Sequence, residues 1–297
     1  MTAATLPQKL SAFAADIKLS HSVFALPFAL LATCLAAVRS GGLHVGQVLL
    51  ILLCMVAART TAMGANRYFD ARLDALNPRT KGRAIPSGTL SSRFVVTAII
   101  FNAALFLLGS VGFGVFFDNW LPAILALPVI ALLCAYPLFK RFSALCHYYL
   151  GLALAIAPPC AEIAIAGSVT LPVLLIAVGV LCWTAGFDII YATVDRGSDV
   201  ETGVHSVPAA VGIGRALLIS RATHVASVAA FVGGGLVSAE LSTLYFIAVA
   251  IAAVLLIVEQ SLVKPNDLSK VGLAFFTVNG VISLVVGTLG IIDVYVG

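Results

Sequence analysis

Two stretches of the chain place carboxylates at helical spacing. In Gly64-Ala-Asn-Arg-Tyr-Phe-Asp-Ala-Arg-Leu-Asp74, Asn66, Asp70 and Asp74 recur every four residues. In Asp188-Ile-Ile-Tyr-Ala-Thr-Val-Asp-Arg-Gly-Ser-Asp199, Asp188, Tyr191, Asp195 and Asp199 are spaced by three, four and four. On an α-helix each set shares one face. Stacked carboxylates repel, and beside apolar sequence they lose hydration, so something must compensate. Arg67, Arg72 and Arg196 offer a plain ion-pair answer. The chemical answer is a divalent cation. An oxygen-only donor set selects hard ions, and Mg²⁺ typically takes one or two carboxylates together with phosphate oxygens. Two facing carboxylate clusters would hold two or more Mg²⁺ ions around a diphosphate. Lys140-Arg141 and the loop Arg79-Thr-Lys81-Gly-Arg83 would complete the anion site.

The elements that position these residues are hydrophobic. The 297-residue chain is 61% hydrophobic and 10% charged, with a mean hydropathy of +1.09, whereas soluble domains run near 45–50% and about 25%. Disordered, collagen-like and disulfide-rich classes are excluded on the same grounds. Apolar runs over Val23–Val38, Val45–Ala65, Phe94–Phe117, Leu121–Phe139, Tyr148–Ala166, Leu171–Val194, Ala216–Val237, Leu241–Val258 and Val271–Val296 predict an all-α polytopic membrane protein. Its nine transmembrane helices would form one domain over residues 1–297, bundled around a central cavity. Pro158-Pro159 predicts a kink in the fifth span. Leu6, Leu10, Phe13 and Ile17 repeat at helical spacing beside Lys9 and Lys18, as in an amphipathic helix lying on the membrane within residues 1–20. That segment lacks the order of a cleavable signal.

Lys and Arg crowd alternate connections, which predicts a cytoplasmic N-terminus, an outward C-terminus and both carboxylate sets on the cytoplasmic side. The formal charge of +4 thus belongs to topology, and no nucleic-acid partner is expected. Six cysteines without a CxxC pair read as packing residues. The loops Gly82-Arg-Ala-Ile-Pro-Ser-Gly88 and Gly203-Val-His-Ser-Val-Pro-Ala209 each follow an acidic helix, a faint sign of internal duplication.

The paired motif, Asn66-x-x-x-Asp70-x-x-x-Asp74 with Asp195-x-x-x-Asp199, resembles that of the UbiA superfamily of intramembrane prenyltransferases, and the resemblance spans essentially the whole chain. Ile17-Lys-Leu-Ser-His-Ser-Val-Phe-Ala-Leu-Pro-Phe28, Asn77-Pro-Arg-Thr80 and Gly203-Val-His-Ser-Val-Pro208 look like 4-hydroxybenzoate polyprenyltransferases, most of all the branch often assigned to the futalosine route to menaquinone. The resemblance implies Mg²⁺-dependent transfer of a polyprenyl group from its allylic diphosphate to an aromatic acceptor of ubiquinone or menaquinone biosynthesis. It implies an enzyme of the bacterial inner membrane whose site faces the cytoplasm.

On that basis Asp70, Asp74, Asp195 and Asp199 are the metal ligands, Asn66 orients the metal–diphosphate cluster, and Asp188 serves as base or cation stabiliser. Arg59, two turns deeper than Asn66, either clamps a benzoate carboxylate or pairs structurally with Glu162 or a helix carbonyl. Tyr136 and Tyr191 contact diphosphate or cation, or else pack at the interface. Lys140 and Arg141 are diphosphate contacts or topology charges; Arg72 and Lys81 are further anion contacts. His205 and Ser206 read as loop structure. The rival class is a secondary transporter, whose acids should cluster at mid-membrane instead. Haem, chlorophyll or archaeal-lipid prenyl transfer would share the metal site.

Overall fold

The computed structural model describes residues 5–18 and 24–297. Residues 19–23 lie outside the described residues, and with them His21 and the start of the first expected span. The described residues form helices and no strand, apart from one isolated bridge between Lys264 and Asp267. In chain order the helices are α1 (Leu6–Asp16), α2 (Leu26–Arg39), α3 (Val45–Leu76), α4 (Ser92–Phe117), α5 (Leu121–Phe139), α6 (Cys146–Ala155), α7 (Ala157–Ala166) and α8 (Leu171–Ala192). After them come α9 (Arg196–Thr202), α10 (Val207–Val211), α11 (Ile213–Leu236), α12 (Thr243–Leu262) and the single turn α13 (Val271–Leu273). A π-helical turn, Ala274–Val278, then leads into α14 (Asn279–Val296).

Among the described residues eight helical segments are long and apolar enough to cross a membrane. The first expected span, α2, has 14 helical residues. Side chains such as Phe101, Leu108, Ile124, Val225 and Ile257 stand exposed on the outside, as a lipid-facing surface requires. The expected kink falls at a one-residue interruption, Ile156, within a single crossing segment, Cys146–Ala166. Pro158 and Pro159 have no N–H to give the carbonyls of Leu154 and Ala155, so α6 stops and α7 restarts around Ile156.

The expected single face from Asp188 to Asp199 needs correction. Helix α8 ends at Ala192, Thr193–Asp195 winds as a tighter 3-10 turn, and α9 carries Asp199. By contrast α3 runs unbroken for 32 residues through Asn66, Asp70 and Asp74, because no proline or glycine pair interrupts it.

Helix α8 is the most buried span. It packs along α6 and α11, while α3 lies along α4 and α5, and α2 lies against α7 and α14. Trp183, Phe187, Phe28, Phe231 and Tyr245 are almost fully buried in the main core, where Phe28 and Phe231 stack in parallel with centroids 5.6 Å apart. Two glycines allow the close approaches. A Cβ at Gly186 would run into the His224 ring, and one at Gly151 into the Leu181 carbonyl.

The end of the bundle away from the motifs is tied by two saturated carboxylates. Glu162, fully buried, pairs with Arg39 and accepts from the Thr170 hydroxyl (2.7 Å) and backbone N–H (3.0 Å). Asp293 of α14 accepts from the Ser242 backbone and hydroxyl and from the backbone N–H groups of Leu244 and Tyr245, capping α12 from a neighbouring helix. Arg59 is therefore not the partner of Glu162.

Candidate active site

The two acidic motifs meet at the other end. Asp70 is fully buried; its Oδ2 accepts from Asn66 Nδ2 and from Lys140 Nζ, each at 2.7 Å. Its Oδ1 is buried with no hydrogen-bond partner, although buried carboxylate oxygens are normally satisfied. Asp74 accepts from Arg83 Nη1 on both oxygens, at 2.7 and 2.8 Å. Asn66 Oδ1 accepts from Arg67 Nη1 at 2.6 Å. Arg67 turns its Nε and Nη2 onto the Asp16 carbonyl (3.0 and 2.9 Å), and Asp16 Oδ1 accepts the Ala84 N–H at 3.1 Å. The surface helix α1 is thereby stitched to the motif helix, with Phe13 and Ile17 packed among Ala84, Leu90 and Val95.

The second motif is held largely by residues that follow the first. Asp195 accepts from Asn77 Nδ2 (2.9 Å) and from Arg79 Nε and Nη2 (2.9 and 2.5 Å). Arg79 also donates to the Tyr191 hydroxyl at 2.8 Å and lies over its ring, while Tyr191 stacks on Phe275 with centroids 4.2 Å apart. Asp199 accepts from the Ser206 hydroxyl at 2.7 Å. Asp188 meets His147 Nδ1 at 2.7 Å. The loop after α3 thus bridges two clusters more than a hundred residues apart in sequence.

The basic side chains sense this crowding. Partial burial and the nearby Arg67, Arg83 and Arg79 hold the Lys18 ammonium below the usual lysine range. Burial alone would lower the Arg79 guanidinium, but its hydrogen bonds to Asp195 and the charges of Tyr191, Asp195 and Asp74 raise it. The two basic groups thus shift in opposite directions at one end of the bundle, Lys18 by burial first and Arg79 by its bonds to Asp195.

Beneath it lies an apolar cavity with about 1320 Å³ of open space including its mouth. Leu26 of α2, Met55 of α3, Phe113 of α4, Leu133 of α5 and Leu154 of α6 are among its walls. Arg59 and Tyr136 also line it. Arg59 Nη2 donates to the Lys18 carbonyl at 3.0 Å, and its Nε is buried without a partner. Lys18 has a left-handed backbone, φ +49°, at the point where the chain turns from α1 and offers that carbonyl. The Tyr136 hydroxyl lies 3.6 Å from Met63 Sδ. Arg59 and Tyr136 are the polar residues of the cavity nearest the charged end, and the remaining walls are apolar.

The expected residues divide clearly. Asn66, Asp70, Asp74, Lys140, Asp195, Tyr191 and Asp199 gather at the charged end, and Arg59 and Tyr136 line the cavity. Arg72 and Lys81 are exposed, and neither has a hydrogen bond or ion pair to the motif carboxylates among the described residues. Arg72 lies two residues from both Asp70 and Asp74, on the opposite side of α3. Arg141 turns away to the Phe69 carbonyl, at 2.6 Å. Among the described residues no three His, Cys, Asp or Glu side chains converge on one point; Lys140, Arg83 and Arg79 sit on the carboxylates. Sequence reasoning missed the binding partners: Lys18, Asp16, Asn77 and His147. Only Asn77, within Asn77-Pro-Arg-Thr80, carried a signal.

The chain is similar to known proteins. The 4-hydroxybenzoate octaprenyltransferase of Xanthomonas oryzae pv. oryzae (strain PXO99A) is 30% identical over 214 residues, 70% of this chain and 68% of that protein. The apo structure of a UbiA homolog from Aeropyrum pernix K1 superposes with a TM-score of 0.82 at 29% identity, covering 93% of this chain and 98% of the other. A UbiA homolog from Archaeoglobus fulgidus, solved with DMAPP and Mg²⁺, shares the fold, with a TM-score of 0.72 at 17% identity over 96% and 99% of the two chains. The profile of the UbiA prenyltransferase family matches residues 25–281, and the chain belongs to that family.

Proposed function

We propose that this enzyme transfers a polyprenyl group from an allylic diphosphate to a carboxylated phenol of the 4-hydroxybenzoate class, with Mg²⁺, as a step of quinone biosynthesis. The observation that carries the reading is the junction between the two compartments. Carboxylates and their basic partners crowd one end, an apolar channel leads away from it, and the Arg59 guanidinium stands at the boundary with an unused N–H. The acceptor class also rests on likeness to 4-hydroxybenzoate octaprenyltransferases. We assign the motif end to the cytoplasmic face of a bacterial inner membrane, in line with the Lys and Arg distribution.

The donor set fits Mg²⁺. It is all oxygen, and the buried Oδ1 of Asp70 has a free coordination position. Asp70, Asp74, Asp195 and Asp199 would hold the ion, with Asn66 fixing the Asp70 carboxylate. When bound, Mg²⁺ supplies positive charge to the departing diphosphate. Lys140, Arg83 and Arg79 then turn from the carboxylates to diphosphate oxygens, and Lys18 adds a further ammonium. The apolar channel takes the prenyl tail and keeps water from the allylic cation. Arg59 takes the acceptor carboxylate, which aims the ring edge at the allylic carbon, and Asp188 receives the ring proton.

The deciding experiment uses purified protein, a short allylic diphosphate, 4-hydroxybenzoate and Mg²⁺, with detection of the prenylated acid by mass. Product that disappears with chelator and in Asp70→Asn supports the reading. Metal-dependent donor binding without product moves the acceptor to a different aromatic class, and neither product nor binding refutes the proposal.

A further inference from the structure

His147 drew no attention in sequence, sitting in the apolar run that opens α6. In the fold it is 2% exposed and has both ring nitrogens engaged. Nε2 accepts the Val207 backbone N–H at 3.2 Å, and Nδ1 faces Asp188 Oδ2 at 2.7 Å. A nitrogen that accepts a backbone N–H carries no proton, so the neutral ring has its hydrogen on Nδ1 and donates it to Asp188. The tautomer is therefore set by the backbone, and the imidazole serves as a tether with no vacant nitrogen for relaying protons.

Asp188 has an unusual setting. It is the only partly exposed residue from Trp183 to Ile190, the rest being buried, and its side chain is 22% exposed. With Oδ2 held by His147, Oδ1 is the oxygen left to take a proton, one turn along α8 from Tyr191. The tether's anchor is built from the second motif itself. Ser206 holds Asp199 and caps α10 by accepting the Ala209 N–H, and its neighbour Val207 holds His147. The Lys140 carbonyl accepts the His205 N–H at 2.7 Å, and Lys140 Nζ reaches Asp70. The segment 205–207 thus links Asp188, Asp199 and the partner of Asp70.

We propose that His147 is a positioning residue that fixes the Asp188 carboxylate as acceptor of the ring proton; this rests on the prenyl-transfer reading above. In that step the aromatic carbon bonds to the allylic carbon as the carbon–oxygen bond breaks, and diphosphate leaves with the electron pair. The C–H electrons then restore the ring while the proton passes to Asp188. His147 stays neutral throughout.

The test measures kcat, both KM values and the kinetic isotope effect with 4-hydroxybenzoate deuterated at the two ring carbons beside the hydroxyl. Wild type is expected to be isotope-insensitive, because loss of diphosphate is slower than loss of the proton. His147→Phe should lose about 10- to 100-fold in kcat, part of a general base's contribution, with donor KM unchanged and a primary isotope effect exposed. His147→Asn places an amide N–H where Nδ1 was and cannot reach Val207, so it should recover most of kcat and lose the isotope effect. This variant also serves if the Phe variant does not fold. His147→Asp188 coupling predicts that the double variant with Asp188→Asn is no slower than Asp188→Asn alone. An isotope-silent loss in His147→Phe, a failure of Asn to rescue, or additive losses would overturn the tether. Wild-type behaviour of Asp188→Asn would instead overturn the base on which it rests, whereas absence of both prenylated product and metal-dependent donor binding in wild type would overturn the function.

Discussion

The two ends of the bundle both bury carboxylates, and they use them in opposite ways. At the far end Glu162 and Asp293 have their hydrogen-bonding capacity filled by Arg39, Thr170 and the first turn of α12. At the motif end Asp70 keeps an oxygen with no partner and Arg59 an N–H with none. The carboxylates there are paired with long basic side chains that can turn elsewhere. Saturation by short, fixed donors marks a structural joint. Spare valence beside exchangeable cations marks a place prepared for a ligand.

The sharpest contrast comes from removing one charge at each end. Asp70→Asn should reduce turnover by about 10³-fold or more, the scale of losing a transition-state electrostatic contact, with little change in thermal midpoint. Glu162→Gln should do the reverse, costing about 1–3 kcal/mol by leaving buried donors poorly matched while kcat holds. Turnover and thermal unfolding of both variants check this, and equal behaviour would erase the distinction.

Next in size is Arg79→Ala, which should lower kcat/KM for the donor by about 10²-fold because it loses an anion contact and the brace on Asp195 together. Its far-end counterpart, Asp293→Ala, should cost about 1–2 kcal/mol as a lost helix cap and leave donor kinetics alone. Arg59→Ala should raise acceptor KM about tenfold, the order of a charged hydrogen bond, and spare donor KM; equal effects on both substrates would move Arg59 out of the acceptor site. The smallest effect belongs to Lys18. Its ammonium is present below its folded pKa and is lost as pH rises through it. That value lies below the ordinary 10.5. Donor KM should therefore rise on the alkaline side earlier than for an ordinary lysine, by about twofold for one screened charge, and Lys18→Met should flatten the limb.

Much of this was legible in the sequence because it depends on local spacing. The single face of Asn66, Asp70 and Asp74 needs only an unbroken α3, and the interruption at Pro158-Pro159 needs only missing N–H groups. The 3-10 turn at Thr193–Asp195 was not legible, since nothing at those positions forbids a helix; it follows from Arg79 and Asn77 gripping Asp195 across the bundle. Lys140 on Asp70 and His147 on Asp188 are likewise long-range pairings that periodicity does not encode. Asp293 as a cap lent by one helix to another is a further pairing of that kind. Arg72 stands exposed on the side of α3 away from Asp70 and Asp74, an angle that nearness in sequence does not convey.

The close seating of α8 has one more consequence. With Gly186 against the His224 ring and the Leu181 carbonyl against Gly151, this helix is clamped on two sides and has no room to tilt or slide. Alternating access requires one set of helices to rock against another. A central span wedged in this way makes such rocking expensive, so the close glycine contacts favour a site reached without rearranging the bundle.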